Sequence, residues 1–363
     1  MKTLVLITGT GRSGTSTMSG TFHHLGLHVP GPYLGANESN PKGFFESKWA
    51  VKFHKQITVA AGINDFDSRP EAFDLARAAW GQGMRDELRG FLERESAEHD
   101  QLVVKDPRSV WAQGLWREVA EEAGLAIRYV SMLRHPAEVV GSRTTYYANP
   151  NDEAKRRSYE TFNVARWINS SLLSEQQTRG HQRAFVHYTA LLEDWRPVLV
   201  ELAEDLGLTY DVDVAAGDPS PVDEFIDPGL RRHQVTWDDL EVPDELRDIA
   251  QTVWDDLVAL STARGHDQAA SDDVDRQAER YQRLFRASAD IAHDALETER
   301  TDAKRRAAEK KRSEPAAPPK PAKKAAARPA GRPPTVEELP VGQVGGRDLL
   351  KVVARRARRK LGR

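Results

Sequence analysis

The sequence predicts an α/β fold in which a parallel β-sheet is flanked by helices. Short apolar runs of strand length recur along the first part of the chain, and segments with helical spacing separate them. A glycine-rich turn follows the first apolar run directly. Strands that alternate with helices are joined by right-handed crossovers, which makes neighbouring strands parallel. The 363 residues are enough for one large domain or two modest ones.

Four apolar runs are the expected strands, and they cover residues 4–7, 101–104, 127–133 and 184–188. Helical spacing is found in residues 15–25, 71–99, 111–123, 153–177 and 191–206, and in a segment that starts at Pro136. Residues 27–70 carry many proline, glycine and asparagine turn signals, so we expect them to be mostly loop. A further helix is expected within residues 237–263.

The turn after the first strand has the chemistry of an anion site. Gly9, Gly11 and Gly14 allow a sharp turn, and backbone N–H groups and the helix dipole then point at one place. The spacing is close to the G-x-x-x-x-G-K-S/T pattern of P-loop proteins, but Thr15 stands where the lysine belongs. The cation of this loop is Arg12. The sequence therefore predicts a P-loop NTPase-like sheet that is not an ordinary ATPase or kinase.

Composition excludes several classes of protein. The chain has no cysteine, and so no disulfide, thiolate zinc site or cysteine nucleophile. The first apolar run is too short for a signal peptide, and no stretch is apolar enough to span a membrane, so we expect a cytoplasmic protein. Residues 301–363 hold 19 Lys and Arg against 6 Asp and Glu, whereas the preceding residues hold 33 against 49. An acidic body thus carries a basic tail. We expect no specific binding of nucleic acid.

The chain is expected to change character after a first domain of residues 1–265. Residues 271–312 carry a modest heptad pattern, which predicts either a coiled-coil arm that self-associates or one charged helix along the body. Residues 313–335 are rich in Pro, Ala and Lys and predict a disordered linker. Residues 336–363 form the basic tail. Its amphipathic part, 347–363, suits an anionic membrane surface or an acidic partner, or is merely solvated.

A second motif lies at the end of the third predicted strand, where Arg134 is followed eight residues later by Ser142. The glycine loop and this motif, in this order and each after a strand, make residues 1–235 similar to the P-loop sulfotransferases. Residues 187–208 also resemble a strand and helix found late in that family's core. The family transfers a sulfuryl group from 3′-phosphoadenosine 5′-phosphosulfate (PAPS) to an acceptor, usually a hydroxyl, and releases PAP.

The resemblance implies that PAPS is the co-substrate and that no metal is needed. It also implies that one set of residues binds the 5′-phosphosulfate and another binds the 3′-phosphate. The residues that match the family's 5′-phosphosulfate loop are Gly11, Arg12, Ser13, Gly14, Thr15 and Ser16. Arg134 and Ser142 match its grip on the 3′-phosphate, and Arg12 is the expected catalytic cation. Independently, the planar fork of an arginine such as Arg134 suits a phosphate. The basic residues 231–233 match the family's late phosphate segment poorly and are expected to be a charged loop.

The proton acceptor is the least defined part of the expected site. One branch of the family uses a histidine in a Lys-x-His segment, but here Lys105 is followed by Asp106 and Pro107. A carboxylate base is therefore expected, and the candidate is Glu46, which stands among Phe44, Phe45 and Trp49. The alternatives are Glu38, Asp106 and His54.

Several points stay open at the level of sequence. Lys105 and Arg108 either pair with the acidic body or fix the loop that faces the nucleotide, and Trp111 and Trp116 are expected in the core. The acceptor is a hydroxyl compound, with carbohydrate or lipid favoured over a small metabolite. Two other classes remain: a P-loop nucleotide kinase or triphosphatase, against which Thr15 argues, and a non-catalytic nucleotide-binding scaffold.

Overall fold

The computed structural model describes residues 2–38, 40–147, 153–227, 229 and 235–313. The basic segment 231–233, the tail 336–363 and all of the expected linker except Ser313 lie outside these residues.

The described residues form strands, α-helices and two short 3₁₀ helices. The strands are β1 (Thr3–Thr8), β2 (Gln101–Lys105), β3 (Ala126–Leu133) and β4 (Arg183–His187). The helices of the first half are α1 (Thr15–His24), α2 (Lys48–Ala61), α3 (Ala72–Ala78), α4 (Gln82–Glu98), α5 (Gln113–Glu122) and α6 (Pro136–Tyr147). Those of the second half are α7 (Glu153–Thr178), α8 (Tyr188–Glu193), α9 (Trp195–Leu206), α10 (Val222–Phe225), α11 (Asp244–Thr262), α12 (Gln268–Ile291) and α13 (His293–Ser313). The 3₁₀ helices are Pro107–Trp111 and Trp237–Asp239.

The four strands form one parallel sheet in the order β2-β1-β3-β4. β1 lies inside the sheet and is buried on both faces, because Val5 and Ile7 pack into one core cluster and Leu4 and Leu6 into another. A strand buried in this way reads as a continuous apolar run, which is why the sequence pattern located it. The predicted α/β fold, with a parallel sheet flanked by helices, is confirmed.

A third core cluster extends the domain beyond the boundary expected at residue 265. α12 packs against α11 and α7, and Val274, Tyr281 and Phe285 belong to this cluster. The Tyr281 hydroxyl donates a hydrogen bond of 2.6 Å to the Ser68 carbonyl. The part of the apolar stripe that lies on α12 is thus buried against α11 and α7 of the same chain. The first compact unit ends at Ala292.

The second unit begins at His293, and its described part is α13, whose side chains are mostly exposed. Within residues 271–312, α12 ends at Ile291 and α13 begins at His293. Among the described residues, no helix is both long and apolar enough to cross a membrane.

The largest difference from the sequence prediction is α2, which lies in the segment expected to be mostly loop. Its buried residues Ala50, Phe53 and Ile57 follow helical spacing, and Gly62 ends it in the left-handed conformation. The turn signals that suggested a loop all precede residue 48. The expected helix 71–99 is likewise divided, with Gly81 at the N-cap of α4. Trp111 and Trp116 are fully buried, as predicted.

Candidate active site

The carboxyl ends of all four strands open into one cleft, where ligands of parallel α/β sheets usually bind. Its cavity measures about 230 Å³. The glycine loop leaves β1, the segment 106–108 leaves β2, Arg134 follows β3 and Tyr188 follows β4. The remaining lining residues come from the loop that precedes α2, from Phe66, and from Ser142 and Phe225.

The backbone of the glycine loop packs closely against its neighbours, which leaves no room for side chains at some positions. Gly14 has φ of 89°, and a Cβ there would lie 2.1 Å from Cδ2 of Tyr188, so this position accepts no side chain. Arg12 also has a positive φ, 79°, which is uncommon for a residue with a side chain. The Ser13 hydroxyl is buried and shares a hydrogen bond of 2.6 Å with Thr10 Oγ1. Ser13 therefore braces the turn from inside.

The first turn of α1 presents unpaired backbone donors to the cleft. Met18 is the first residue whose N–H bonds back within this helix, to the Gly14 carbonyl at 3.1 Å. The N–H groups of Thr15, Ser16 and Thr17 precede it and have no intrahelical acceptor. Among the described residues, no side chain caps this turn. Backbone donors and the helix dipole make such a turn a site for an anion.

The structure brings the loop and the second motif into direct contact. Arg12 Nε donates to Ser142 Oγ at 3.1 Å, and Arg134 Nη1 donates to the Arg12 carbonyl at 3.1 Å. Arg134 Nε donates to Glu138 at 3.0 Å, and its guanidinium lies 5.3 Å from the Tyr188 ring centre. Arg134 is only 7% exposed. Two guanidinium groups and a hydroxyl are thus held together on the β3 side of the cleft.

A second cationic group comes from β2. Lys105 Nζ donates to Ser16 Oγ at 2.9 Å and lies 2.5 Å from Glu46 Oε1. Arg108 Nη2 lies 3.6 Å from the other oxygen of Glu46. Lys105 is 2% exposed, so the cation that reaches the first turn of α1 is a buried lysine from a neighbouring strand. The sequence left the role of Lys105 open. The position of Lys105 at the end of a strand indicated that it lies near the cleft, but only the structure shows its partners.

Glu46 lies in the cleft, as predicted, but its surroundings differ from those expected. Of the three neighbouring aromatic residues, Phe44 lines the cleft, whereas the Trp49 ring stacks in the core. Phe45 turns its ring onto Gly20 of α1, where a Cβ would lie 2.9 Å from Phe45 Cε2. Glu46 is therefore held by cations more than by aromatic rings, and the close packing on Gly20 fixes the segment that carries it.

His54 is enclosed in a buried hydrogen-bonded chain. Its Nδ1 is 2.8 Å from Asp106 Oδ2, and its Nε2 is 2.8 Å from Trp116 Nε1. Because an indole N–H only donates, His54 Nε2 is the acceptor and Nδ1 carries the proton. Both ring nitrogens are engaged, and the side chain is fully buried. His54 is not placed to take a proton from a substrate.

The other two alternatives are also poorly placed. Asp106 Oδ1 accepts from the backbone N–H and Nε of Arg108 at 3.0 and 2.9 Å. Burial alone would raise the pKa of Asp106, but the hydrogen bond from His54 and the charge of Arg108 lower it below the ordinary value. Glu38 is exposed and is not among the residues that line the cleft. Glu46 is the carboxylate best placed to meet a ligand.

Solved structures similar to this chain include two sulfotransferase domains. The sulfotransferase domain of the Synechococcus PCC 7002 olefin synthase is 19% identical, with 74% of this chain and 97% of that chain covered, at a TM-score of 0.37. The sulfotransferase domain from the curacin biosynthetic pathway is 16% identical, with 71% and 98% covered, at a TM-score of 0.39. No family model and no curated protein matches. Identities and TM-scores this low do not show what activity this chain has.

Proposed function

We propose that this protein is a sulfotransferase that uses PAPS and acts on a hydroxyl group. The observation that carries the proposal is the convergence, in one cleft, of a glycine loop without its own lysine, five cationic side chains and two carboxylates. The cations are Arg12, Lys42, Lys105, Arg108 and Arg134, and the carboxylates are Glu46 and Asp106.

The cations fall into two groups, which suits a ligand with two separate anionic groups. Arg134 and Ser142 form the first group, on the β3 side of the cleft, and Arg12 of the glycine loop is hydrogen-bonded to both. Lys105 and the first turn of α1 form the second. PAPS carries a 3′-phosphate and a 5′-phosphosulfate, so each group of donors has an anion to bind. The residues present therefore fit this co-substrate.

Each residue then has a definable task, while PAPS supplies the sulfuryl group. The N–H groups of α1, Arg12 and Lys105 stabilise the negative charge that grows on the leaving phosphate. Arg134 and Ser142 hold the 3′-phosphate through charge-assisted hydrogen bonds. Glu46 accepts the proton of the acceptor hydroxyl. Because Glu46 is paired with Lys105, it must exchange that contact for the hydroxyl.

A second candidate function, a nucleotide kinase or triphosphatase, is favoured by one observation. Lys105 Nζ lies 2.9 Å from Ser16 Oγ, so a lysine does reach the loop, though from β2 rather than from position 15. Thr15 itself carries no charge. We favour the sulfotransferase because Arg134 and Ser142 provide a second anion site that the phosphates of ATP do not require.

Ligand-induced stabilisation distinguishes these functions. We expect PAP to bind with sub-millimolar affinity and to raise the melting temperature, since a ligand at 100 times its Kd stabilises by about 2.7 kcal/mol. EDTA should leave this stabilisation unchanged. Stabilisation by ATP with magnesium but not by PAP would contradict the proposal and support the kinase. PAP binding without turnover of any acceptor in a screen with labelled PAPS would indicate the scaffold.

A further inference from the structure

A second depression, of about 350 Å³, lies beside the cleft, and Phe66 forms a wall of both. Phe66 is held by Arg143, whose guanidinium lies 4.9 Å from the centre of its ring. The depression is bordered by α2 and by Arg166 of α7. The Phe66 ring therefore stands between the cleft and this second space.

Arg166 is a half-buried cation that lacks an anionic partner. Within the described part of the chain, its guanidinium makes no ion pair and no hydrogen bond, and it lies 4.5 Å from the centre of the Phe162 ring. Burial lowers the pKa of Arg166 from its ordinary value, with Asp67 acting in the opposite direction. A charge that is partly removed from water without a partner is unfavourable unless a ligand compensates it.

The neighbouring carboxylates are already neutralised by other cations. Asp65 lies 3.1 Å from Lys55 and 3.3 Å from Arg108. Asp67 is 2% exposed and pairs with Arg69 at 2.7 Å. Among the described residues that line the depression, Arg166 is thus the cation without an anionic partner.

A second unmet polar group lies next to this cation. Asn163, one turn earlier on α7, is 3% exposed and shares a small cavity with Phe66 and Arg166. Its Nδ2 donates to the Tyr159 carbonyl at 2.8 Å, whereas its buried Oδ1 has no partner within the described chain. Buried polar atoms are normally hydrogen-bonded, so an unpaired one beside an unpaired cation points to a polar ligand group.

Part of the wall of the depression is apolar, although Thr58 and Asn64 also line it. Val59 is 78% exposed there, and the partly exposed Ile63 and Phe66 adjoin it. A ligand that contacts this wall as well as Arg166 needs an apolar segment next to its anionic group.

We propose that Arg166 binds an anionic group of the acceptor while the acceptor's hydroxyl lies at Glu46 on the other side of Phe66. This inference rests on the proposed function and specifies its substrate class. The acceptor is a hydroxyl compound in which an apolar segment separates the hydroxyl from a carboxylate, sulfate or phosphate group.

Matched probes test the inference by binding rather than by turnover. A homologous series of ω-hydroxy fatty acids and their methyl esters, which differ only in the charge at one end, is titrated calorimetrically into protein saturated with PAP. At the best chain length we expect the acid to bind about tenfold tighter than the ester, because a charge-assisted pair replaces a neutral contact. Arg166→Gln should remove this preference. Arg157→Gln, which removes an exposed arginine from the same helix, should keep it.

The outcomes separate this inference from the proposed function. Failure of PAP to bind the wild type contradicts the sulfotransferase itself. If PAP binds the wild type and both variants equally, but acid and ester bind equally or not at all, the assignment of Arg166 is wrong. Inorganic sulfate is added alone as a further probe. If it occupies the Arg166 site as tightly as the best acid, the site belongs to a free anion, and the inference is overturned.

Discussion

At the scale of single residues, Arg12 couples two parts of the cleft. Its backbone has an unfavourable positive φ, and its carbonyl accepts a hydrogen bond from Arg134. Its side chain donates a hydrogen bond to Ser142. Strained backbone persists where surrounding contacts hold it. Arg134 therefore has two tasks in the proposed site, since it holds the loop conformation and offers charge to the 3′-phosphate.

Arg134→Ala is predicted to weaken PAP binding by about 2–4 kcal/mol, because a charge-assisted contact with a phosphate is lost. Binding of AMP, which has no 3′-phosphate, should weaken by only about 1 kcal/mol through the lost bond to Arg12. Calorimetric titration of both nucleotides measures the difference. Arg128→Ala, near the other end of β3, serves as the control and should affect neither ligand. Equal losses for PAP and AMP would remove Arg134 from the 3′-phosphate site.

Glu46→Gln is predicted to lower kcat by about 10²–10⁴, because the amide cannot accept the proton of the acceptor. PAP binding should stay the same or become tighter, since Lys105 and Arg108 lose the carboxylate that neutralises them. Turnover with labelled PAPS and titration with PAP give the two values. Glu38→Gln, which changes an exposed glutamate, is the control. Near-normal turnover of the Glu46 variant would show that another group takes the proton.

At the scale of elements, a buried chain of polar contacts ties α5 and α2 to the end of β2. It runs from Trp116 through His54 to Asp106, and Asp106 in turn accepts a hydrogen bond from the Arg108 side chain. Asp106 also accepts the Arg108 backbone N–H at the start of the 3₁₀ helix. Buried networks of this kind hold one geometry when every member is satisfied. We infer that this chain positions Arg108 at the cleft.

Asp106→Asn is predicted to destabilise the protein by about 1–3 kcal/mol at neutral pH, because Arg108 loses its buried anionic partner but keeps Glu46 and Asp65 nearby. The pKa of Asp106 is lowered in the folded state, so its stabilising effect is complete above the unfolded value of 3.8 and is lost as the pH falls below it. The difference in melting temperature between wild type and variant should therefore shrink in acid. Calorimetry from neutral to acidic pH measures it. Asp74→Asn, at an exposed ion pair, should cause little change, and a pH-independent difference for Asp106→Asn would contradict the prediction.

Sequence patterns located the strands well because β1 and its neighbours are buried on both faces. They failed for α2, because the turn residues before position 48 led to the prediction of a loop over the whole of residues 27–70. They left α12 undecided between a coiled coil and a helix along the body, because an apolar stripe looks the same whether it faces another chain or α11. The position of Lys105 could not be predicted, since its contacts with Ser16 and Glu46 join residues far apart in the chain.

At the scale of the whole molecule, the separation of charge leads to a prediction about the tail. Seven Lys and Arg and no Asp or Glu occur in residues 349–363, which lie outside the described part of the chain. Each cation near an anionic surface contributes about 1 kcal/mol, weakened by salt. We expect the full chain to bind anionic vesicles at low salt, to release them at high salt, and to ignore neutral lipid.

Truncation after Arg312 should abolish this binding and leave PAP affinity unchanged, because the cleft lies within the first unit. Sedimentation with vesicles tests both proteins side by side. If the truncated protein still sediments, the tail is not the anchor. If the full chain ignores anionic vesicles, the tail serves a protein partner or none.

The place of β1 in the sheet has a consequence for how the protein is made. Residues 3–8 leave the ribosome well before their hydrogen-bonding partners, which begin at Gln101 in β2 and Ala126 in β3. At a synthesis rate of about 5–20 residues per second, the apolar strand waits roughly 5–20 seconds for its first partner. During that time its backbone is an open edge to which other nascent chains can add. The unpaired strand is therefore exposed to aggregation during translation, and a chaperone that shields residues 3–8 should raise the yield of folded protein.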